Sequence, residues 1–574
     1  MNATPRPSRA LDVGIARIAD AVSGVTLQRT GPSSDAPDVT VSGVTLDSRA
    51  VRPGDLYAAL PGANVHGGRF IAQSVAAGAV AVLTDQAGVR IARDAGVDVP
   101  VLLAADPRGV LGEVAATVYG RPADDLVMIG ITGTNGKTTT AYLLEGALSR
   151  LGEHTGLIGT IETRVGSQRL PSVRTTPEAS ELHGLLAVMR ESGCQACCME
   201  VSSHALALHR VDAVRYDVAI FTNLSQDHLD FHRTMEAYFE AKAQLFTPQR
   251  ARRAVVCVDD AWGRRLAAQA QIPVTTVANA ATIGAGEGDE PDWTITALPA
   301  GEPGDDPVDD PDGPGENSDG AGLGGAVLLT SADGTHLRVK VGLPGAHNAT
   351  NTAFAVLALL DLGYPAERVV AAFDAPATVP GRMQRVQLSP ETSPAPAAQG
   401  PDAGAEAVSP PIAYVDFAHT PDAIAATLQA LRPLSRGPLV AVLGAGGDRD
   451  PGKRPLMGAA AARVADLVVV TDDNPRHEDP AMIRGSVAGG AREAAPHAET
   501  VREVPGREAA IDLAVDLAAG HDGRPAGVVA VLGKGHEQGQ TVGDVVTPFD
   551  DVQVVRRAWA NLCGVARPDP EVDR

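Results

Sequence analysis

Lysine is nearly absent from this chain. Of 48 basic residues in 574, only Lys137, Lys242, Lys340, Lys453 and Lys534 are lysines. Against that bias each lysine raises the question of what arginine could not do there: a phosphate cradle, a shifted pKa or a modified amine needs a compact ammonium, not a planar fork. Cysteine is scarce as well. Cys194, Cys197, Cys198, Cys257 and Cys563 form no disulfide framework, and Cys194-x-x-Cys197 has no second pair at zinc-ligand spacing. Buried thiols in a reducing compartment are expected. Positive charge is in deficit, with a net charge of −22, which argues against nucleic acid or an anionic membrane as the main partner. Residues 1–21 lack an apolar core, and the later apolar stretches are broken by charge, as 464–470 is by Asp466. Neither a signal peptide nor a membrane span is expected, and a cytoplasmic protein follows.

What the chain does have is a glycine-rich loop, Gly130-Ile131-Thr132-Gly133-Thr134-Asn135-Gly136-Lys137-Thr138-Thr139. It follows an apolar run and opens an amphipathic stretch, so a strand, a tight turn and a helix N-terminus are expected. Such a turn presents backbone N–H groups and a positive dipole end to phosphate. Lys137 can reach the terminal phosphates, and the Thr138 hydroxyl can sit on Mg²⁺. The general P-loop spacing would place a glycine at 131, where this chain has Ile.

Punctuation divides the chain into three α/β domains. The first, 1–123, alternates short apolar runs with glycine turns and ends near Tyr119-Gly120-Arg121-Pro122. The second, 124–379, has strands expected at 196–201, 218–222, 254–258 and 274–277 and a helix over 347–362, which implies a mostly parallel sheet. A disordered insert is expected at about 284–326, because 301–320 carries eight Asp or Glu, no base, and Pro and Gly throughout. The third, 380–574, contains a low-complexity spacer at about 389–411. Beyond it, apolar strands expected at 412–415, 439–443, 467–471 and 528–532 make a Rossmann-like pattern without a dinucleotide fingerprint.

Other motifs fall where strands end. Glu200, in Met199-Glu200-Val201-Ser202-Ser203-His204, is placed either to ligate Mg²⁺ beside the loop or to cap a helix. His228, between Asp227 and Asp230, reads as a metal ligand or part of a cap cluster, the cap being favoured from the residues alone. By pattern Lys242 is an exposed helical lysine. Arg449 and Arg476 follow strands of the third domain and would either hold a carboxylate with a bidentate fork or pair on the surface.

In order along the chain, these segments resemble the Mur ligase family. The matching stretches include Leu46-Asp47-Ser48-Arg49, the phosphate loop, Thr175-Thr176-Pro177, Glu200 to His204, Asn223 to Asp230, Lys242 and His347-Asn348. They continue with Pro380-Gly381-Arg382-Met383, Asp416 to Pro421, Gly447 to Asp450, Asp473-Asn474-Pro475-Arg476 and Gly533 to Glu537. The resemblance implies an ATP- and Mg²⁺-dependent amide ligase of peptidoglycan precursor synthesis, working on small molecules as a monomer. The Asp-Asn-Pro-Arg loop points to the branch that adds diaminopimelate, the meso form being the commoner substrate, to a UDP-N-acetylmuramoyl dipeptide. A folylpolyglutamate synthase or the ligase adding D-alanyl-D-alanine would share the loop but not Asp-Asn-Pro-Arg. A P-loop kinase or GTPase-like switch would use only the first third of the motifs.

The resemblance also distributes roles. Ser48, Thr175, Thr176, Ser202 and Arg210 would hold the UDP-sugar dipeptide. Gly133, Thr134, Asn135, Gly136, Lys137, Thr138 and Thr139 would cradle ATP, with Asn348 nearer the adenine. Thr138, Glu200, His228 and a carbamylated Lys242 would serve the metal. Arg382, Asp416 and His419 would approach the transferring phosphate, while Arg449, Asp473, Asn474, Pro475, Arg476, Gly533 and Glu537 would hold the incoming amino acid. Two positions depart from the family pattern: Leu208 where a Gln is often found, and Phe417 in place of a commoner Tyr.

Overall fold

A computed structural model describes residues 4–9, 11–30, 39–62, 64–283, 290–298, 325–375, 377–388, 408–521 and 523–563. It forms two compact units: Met1–Thr296, Val327–Val339 and Thr350–Asp374 in one, and Ala297–Ala326, Lys340–Ala349 and Ala375–Arg574 in the other. The expected first domain and most of the expected second fall in the first unit, while 297–326, 340–349 and 375–379 group with the second.

The first unit contains two large sheets. The smaller has five strands in the order Val25–Arg29, Pro100–Ala104, Ala81–Thr84, Asp55–Ala58 and Gly43–Thr45, parallel except at the first pair. Its core includes Leu56, Leu83, Leu102 and Val114, and Ala179 and Ala187 of the helix Ala179–Glu191 pack into it. The larger sheet has eleven strands, and its middle is a parallel block. There Thr155–Ile158, Ala196–Glu200, Val127–Thr132, Tyr216–Phe221, Ala251–Cys257 and Val274–Asn279 lie side by side. The central strands Val127–Thr132, Ala196–Glu200 and Tyr216–Phe221 are buried on both faces, so they read as nearly continuous apolar runs. The expected strands therefore appear within a few residues of their predicted ends.

One expectation needs correction. Within the insert expected at about 284–326, Trp293–Leu298 is a strand paired in parallel with Val274–Asn279, and Ile295 is buried. Alternation of apolar and polar residues in Trp-Thr-Ile-Thr-Ala-Leu supports that strand; the acidic 301–320 segment beside it drew the whole stretch into one composition. The acidic segment itself and most of the 389–411 spacer lie outside the described residues.

The second unit holds a six-stranded sheet in the order Gln384–Val386, Ile412–Asp416, Val528–Leu532, Leu439–Leu443, Leu467–Val470 and Val501–Glu503. All but the first strand run parallel. Helices cover both faces, and the turns after the carboxyl ends of the strands are where ligands bind in such sheets. Among the described residues no helix is long and apolar enough to cross a membrane.

Candidate active site

In the first unit the site grows from the central strand Val127–Thr132. Ile131, where the general loop pattern would have glycine, is a fully buried strand residue; the turn starts only at Gly133. That glycine has φ +148, and a Cβ there would overlap the Thr222 hydroxyl and lie 3.1 Å from the Asn223 backbone. Gly136, also at positive φ, leads into the helix Lys137–Arg150. Thr222 Oγ1 donates to the Asn135 carbonyl at 2.6 Å, and Asn223 Oδ1 accepts from Asn135 N–H at 3.0 Å. The neighbouring strand end thus holds the loop in shape. Lys137 Nζ donates to the Gly133 and Thr134 carbonyls, both at 2.9 Å, folding back over the turn.

Strand register brings the carboxylate to the loop. Glu200 pairs with Ile131 across the parallel ladder, at the carboxyl end of its strand. Its side chain is fully buried; Oε2 accepts from Thr138 Oγ1 at 2.9 Å and Thr160 Oγ1 at 3.1 Å, and Oε1 from Thr160 N–H at 2.8 Å. It caps no helix. Gly159 lets it in: a Cβ there would sit 2.5 Å from Oε1. Thr160, which sequence reasoning missed, also meets Thr175 Oγ1 at 3.0 Å. Thr176 Oγ1 donates to the Glu200 carbonyl at 2.8 Å and accepts from Ser202 N–H at 3.1 Å. Ser202 caps the short helix Ser203–Ala207. Arg210 donates to the Thr176 carbonyl and pairs with Glu178 at 2.9 Å. The strand end, phosphate loop and Thr175–Thr176 turn therefore form one network.

Lys242 overturns the expectation of an exposed helical lysine. It is 1% exposed on the helix Met235–Ala243, its Nζ 2.8 Å from the Gly133 carbonyl and 4.7 Å from the centre of the Tyr238 ring. Burial, with the Lys137 charge nearby, pushes its ammonium well below the usual lysine range. The helical period fails here because this helix lies against the loop, not on the surface. His228 takes a left-handed conformation at φ +54 and makes no side-chain cap bond. Burial lowers its imidazole to about 4, so it is neutral at physiological pH. Its ring lies 4.9 Å from that of His204.

A separate cavity of about 540 Å³ opens in the smaller sheet's domain, lined by Asp47, Ser48, Arg49, Tyr57, Phe70 and Arg108 among others. Arg49 and Asp47 form a two-point ion pair on its wall. Only the Ser48 segment was marked in the sequence; the remaining wall comes from residues 57–73 and 108, which carry no motif.

In the second unit, Asp416 ends its strand 7% exposed. Its carboxylate accepts from Met383 N–H at 2.6 Å, Ala418 N–H at 2.9 Å and Thr427 Oγ1 at 3.2 Å. It thereby shapes the turns that carry Arg382 and His419. The Arg382 guanidinium stacks 4.4 Å over the Phe417 ring, so the Tyr-to-Phe departure keeps the stacking face. His419 Nδ1 meets the Phe417 carbonyl at 2.8 Å. Asn348 is 2% exposed and donates to the Pro344 carbonyl at 2.8 Å.

The Asp473-Asn474-Pro475-Arg476 loop meets the Gly533–Glu537 turn. Asn474 Nδ2 donates to Glu537 Oε2 at 2.8 Å. A Cβ at Gly533, which has φ +110, would lie 2.6 Å from Asp473 Oδ2. Arg476 is half-buried at φ +49, and its Nη1 donates to the Gly447 carbonyl at 2.6 Å. Arg449 is exposed, and among the described residues neither arginine is in an ion pair. The surface-pair reading therefore loses its support.

Known proteins resemble this chain along its whole length. Residues 40–119 match the Mur ligase family catalytic domain, 131–359 the Mur ligase middle domain, and 405–535 the Mur ligase glutamate ligase domain. A UDP-N-acetylmuramoyl-L-alanyl-D-glutamate–2,6-diaminopimelate ligase of Streptomyces coelicolor is 46% identical over 96% of this chain and 98% of its own length. One from Corynebacterium glutamicum is 41% identical over 92% and 93%. A solved structure of a ligase with the same name aligns with a TM-score of 0.61 at 28% identity, covering 96% of this chain and 99% of that one. With three matched domains and full-length relatives, the chain belongs to the Mur ligase family.

Proposed function

We propose that this ligase adds meso-2,6-diaminopimelate to UDP-N-acetylmuramoyl-L-alanyl-D-glutamate, converting ATP to ADP and phosphate, in peptidoglycan precursor synthesis. The observation that carries the reading is the Thr138–Glu200 pair at the mouth of the phosphate loop, in a chain similar along its whole length to ligases of that name. A carboxylate and an amine do not condense in water without activation. Transfer of the γ-phosphoryl group to the D-glutamyl side-chain carboxylate gives an acyl phosphate and ADP. The amine then attacks the carbonyl carbon, loses a proton and expels phosphate.

The chain's residues fit those steps. Backbone N–H groups from Gly133 to Thr139 and the helix N-terminus would hold the phosphates, and Lys137 would offset charge as two anions meet. The Thr138 hydroxyl and Glu200 carboxylate are hard oxygen donors 2.9 Å apart, the kind that suits Mg²⁺, and the family resemblance would add His228. When bound, the ion would supply charge stabilisation for phosphoryl transfer. Lys242, buried and driven toward the neutral amine, is suited to take up CO₂ as a carbamate with release of a proton. That would exchange a buried amine beside Lys137 for an anionic oxygen donor.

The cavity around Ser48 has the size of a small-molecule site and would take the uridine end of the substrate. Thr175, Thr176, Ser202 and Arg210 would hold the peptide end beside Glu200. Arg382 and His419, on turns shaped by Asp416, would meet the transferring phosphoryl group. Arg449, Arg476 and the Asp473–Asn474 and Gly533–Glu537 turns would receive the amino acid. Phosphate release should require ATP, Mg²⁺, the UDP-dipeptide and diaminopimelate together. Release indifferent to the amine or to the dipeptide would reject the reading.

A further inference from the structure

One fully buried lysine remains without a role. Lys534 lies in Gly533-Lys534-Gly535-His536-Glu537 and is fully buried. Three acceptors converge on its Nζ: Gly539 O at 2.6 Å, Glu537 Oε2 at 3.0 Å and Asn474 Oδ1 at 3.2 Å. An Asp473 carboxylate oxygen stands 4.0 Å away. An ammonium has three donors on one compact centre, so this arrangement uses all of them; a planar guanidinium of greater volume cannot present its donors to three converging points in a sealed site. Here the near-exclusion of lysine from the chain gives way for a geometric reason.

Two of these acceptors, Asn474 and Glu537, belong to the two turns assigned above to the amino acid. With Nζ on its oxygen, the Asn474 amide has its nitrogen fixed toward Glu537. Thr541 N–H donates to the same amide oxygen at 2.9 Å, which reinforces that orientation. The Glu537 carboxylate, about a third exposed, is then held with one oxygen on Lys534 and Asn474. Burial alone would raise its pKa, but the Lys534 charge and these hydrogen bonds bring it below the usual range.

We propose that Lys534 is a positioning residue for amino-acid selection: it locks the Asn474 amide and presents the Glu537 carboxylate to the amine of the incoming substrate. It touches neither ATP nor the UDP-dipeptide under this assignment. The inference rests on the proposed function, since it deepens the amino-acid site of that same reaction.

The test compares Lys534→Gln, which keeps a donor in the pocket, and Lys534→Met with the unmutated full-length chain. The KM for diaminopimelate should rise tenfold or more, while the KM values for ATP and the UDP-dipeptide stay within twofold. The acid limb of kcat/KM for diaminopimelate should move upward by about one pH unit, because Glu537 loses its neighbouring charge. Lys534→Arg should not restore the parent behaviour. If Lys534→Met fails to fold, Lys534→Gln alone decides the matter. If both fail, an unchanged Asn474→Ala variant, with parent KM and pH profile for diaminopimelate, would overturn the inference, and the same KM and pH shift in Asn474→Ala would support it. Equal rises in all three KM values, or an unmoved acid limb, would also overturn it. An unmutated chain that does not use diaminopimelate would instead overturn the function on which it rests.

Discussion

Replacing Glu200 with glutamine separates the charge of that side chain from its shape. In the native site one carboxylate oxygen faces the Thr160 N–H and the other faces the hydroxyls of Thr138 and Thr160. An N–H can only donate, so the glutamine oxygen must take the first position and its NH₂ group the second. Both hydroxyls can rotate to accept, because each carries two lone pairs. The network stays connected, and the cost to folding should be about 1 kcal/mol or less. The negative charge is lost, however, and with it the anionic ligand proposed for the metal. Loss of one preorganised electrostatic partner typically costs about 10²–10³-fold in rate, or about 3–4 kcal/mol. Glu200→Gln should therefore keep a near-parent urea midpoint, lose at least 100-fold in phosphate release and need more Mg²⁺. Glu200→Ala should differ: it strands the Thr160 N–H at about 1–3 kcal/mol and leaves a void. A glutamine variant within threefold of parent activity, with unchanged Mg²⁺ dependence, would refute the role given to the carboxylate.

Gly133→Ala combines positive-φ strain with overlap on Thr222, about 2–5 kcal/mol together. It should lose ATP turnover, whereas Gly152→Ala, at φ +98 with open space around it, should stay active; equal activity of the two in phosphate release would contradict the loop geometry. Lys242→Ala should be severely impaired and partly rescued by short-chain carboxylic acids, and a fully active Lys242→Arg would eliminate the carbamate. Burial holds His232 and His536 near a pKa of about 4, below their ordinary 6.5, so the unfolded chain binds more protons between those values. Stability should fall as pH drops from about 6.5 toward about 4, with a shallower fall in His232→Asn, and flat urea midpoints across that window would show the histidines are not buried as described. Arg476 is half-buried and already bonded to Gly447, so leaving it unpaired should cost only the low end of the usual range, about 2 kcal/mol. Diaminopimelate should be preferred over L-lysine by about thirtyfold, a preference that Arg476→Ala should erase.

The parts of the site legible in the sequence are those where backbone geometry dictates residue type. Gly133 cannot bear a Cβ, and two-face burial writes Val127–Thr132 and Leu439–Leu443 as unbroken apolar runs. The failures have equally local causes. Lys242 sits on a helix whose apolar and polar residues show no clean stripe, so nothing in its spacing told that its face meets the phosphate loop. Thr160 and Tyr238 are ordinary residues until strand register brings Thr160 to Glu200 and helix packing brings the Tyr238 ring to Lys242. Trp293–Leu298 was hidden by an acidic neighbour whose composition overwhelmed six residues of alternation.

Composition supplied a signal that periodicity could not. A chain that has replaced nearly all its lysine with arginine keeps lysine where a guanidinium does not fit. At Lys242 and Lys534 the structure gives the reason in steric terms: both are buried to 1% exposure or less, and both ammonium groups point at backbone carbonyls inside closed turns. Burial of an ammonium is costly unless its donors are met; three acceptors converge on Lys534, whereas Lys242 is pushed toward the neutral amine. Lys340, on the exposed strand His336–Lys340, shows the limit of the argument. Rarity directs attention to a position, but only burial and converging acceptors turn that attention into a role.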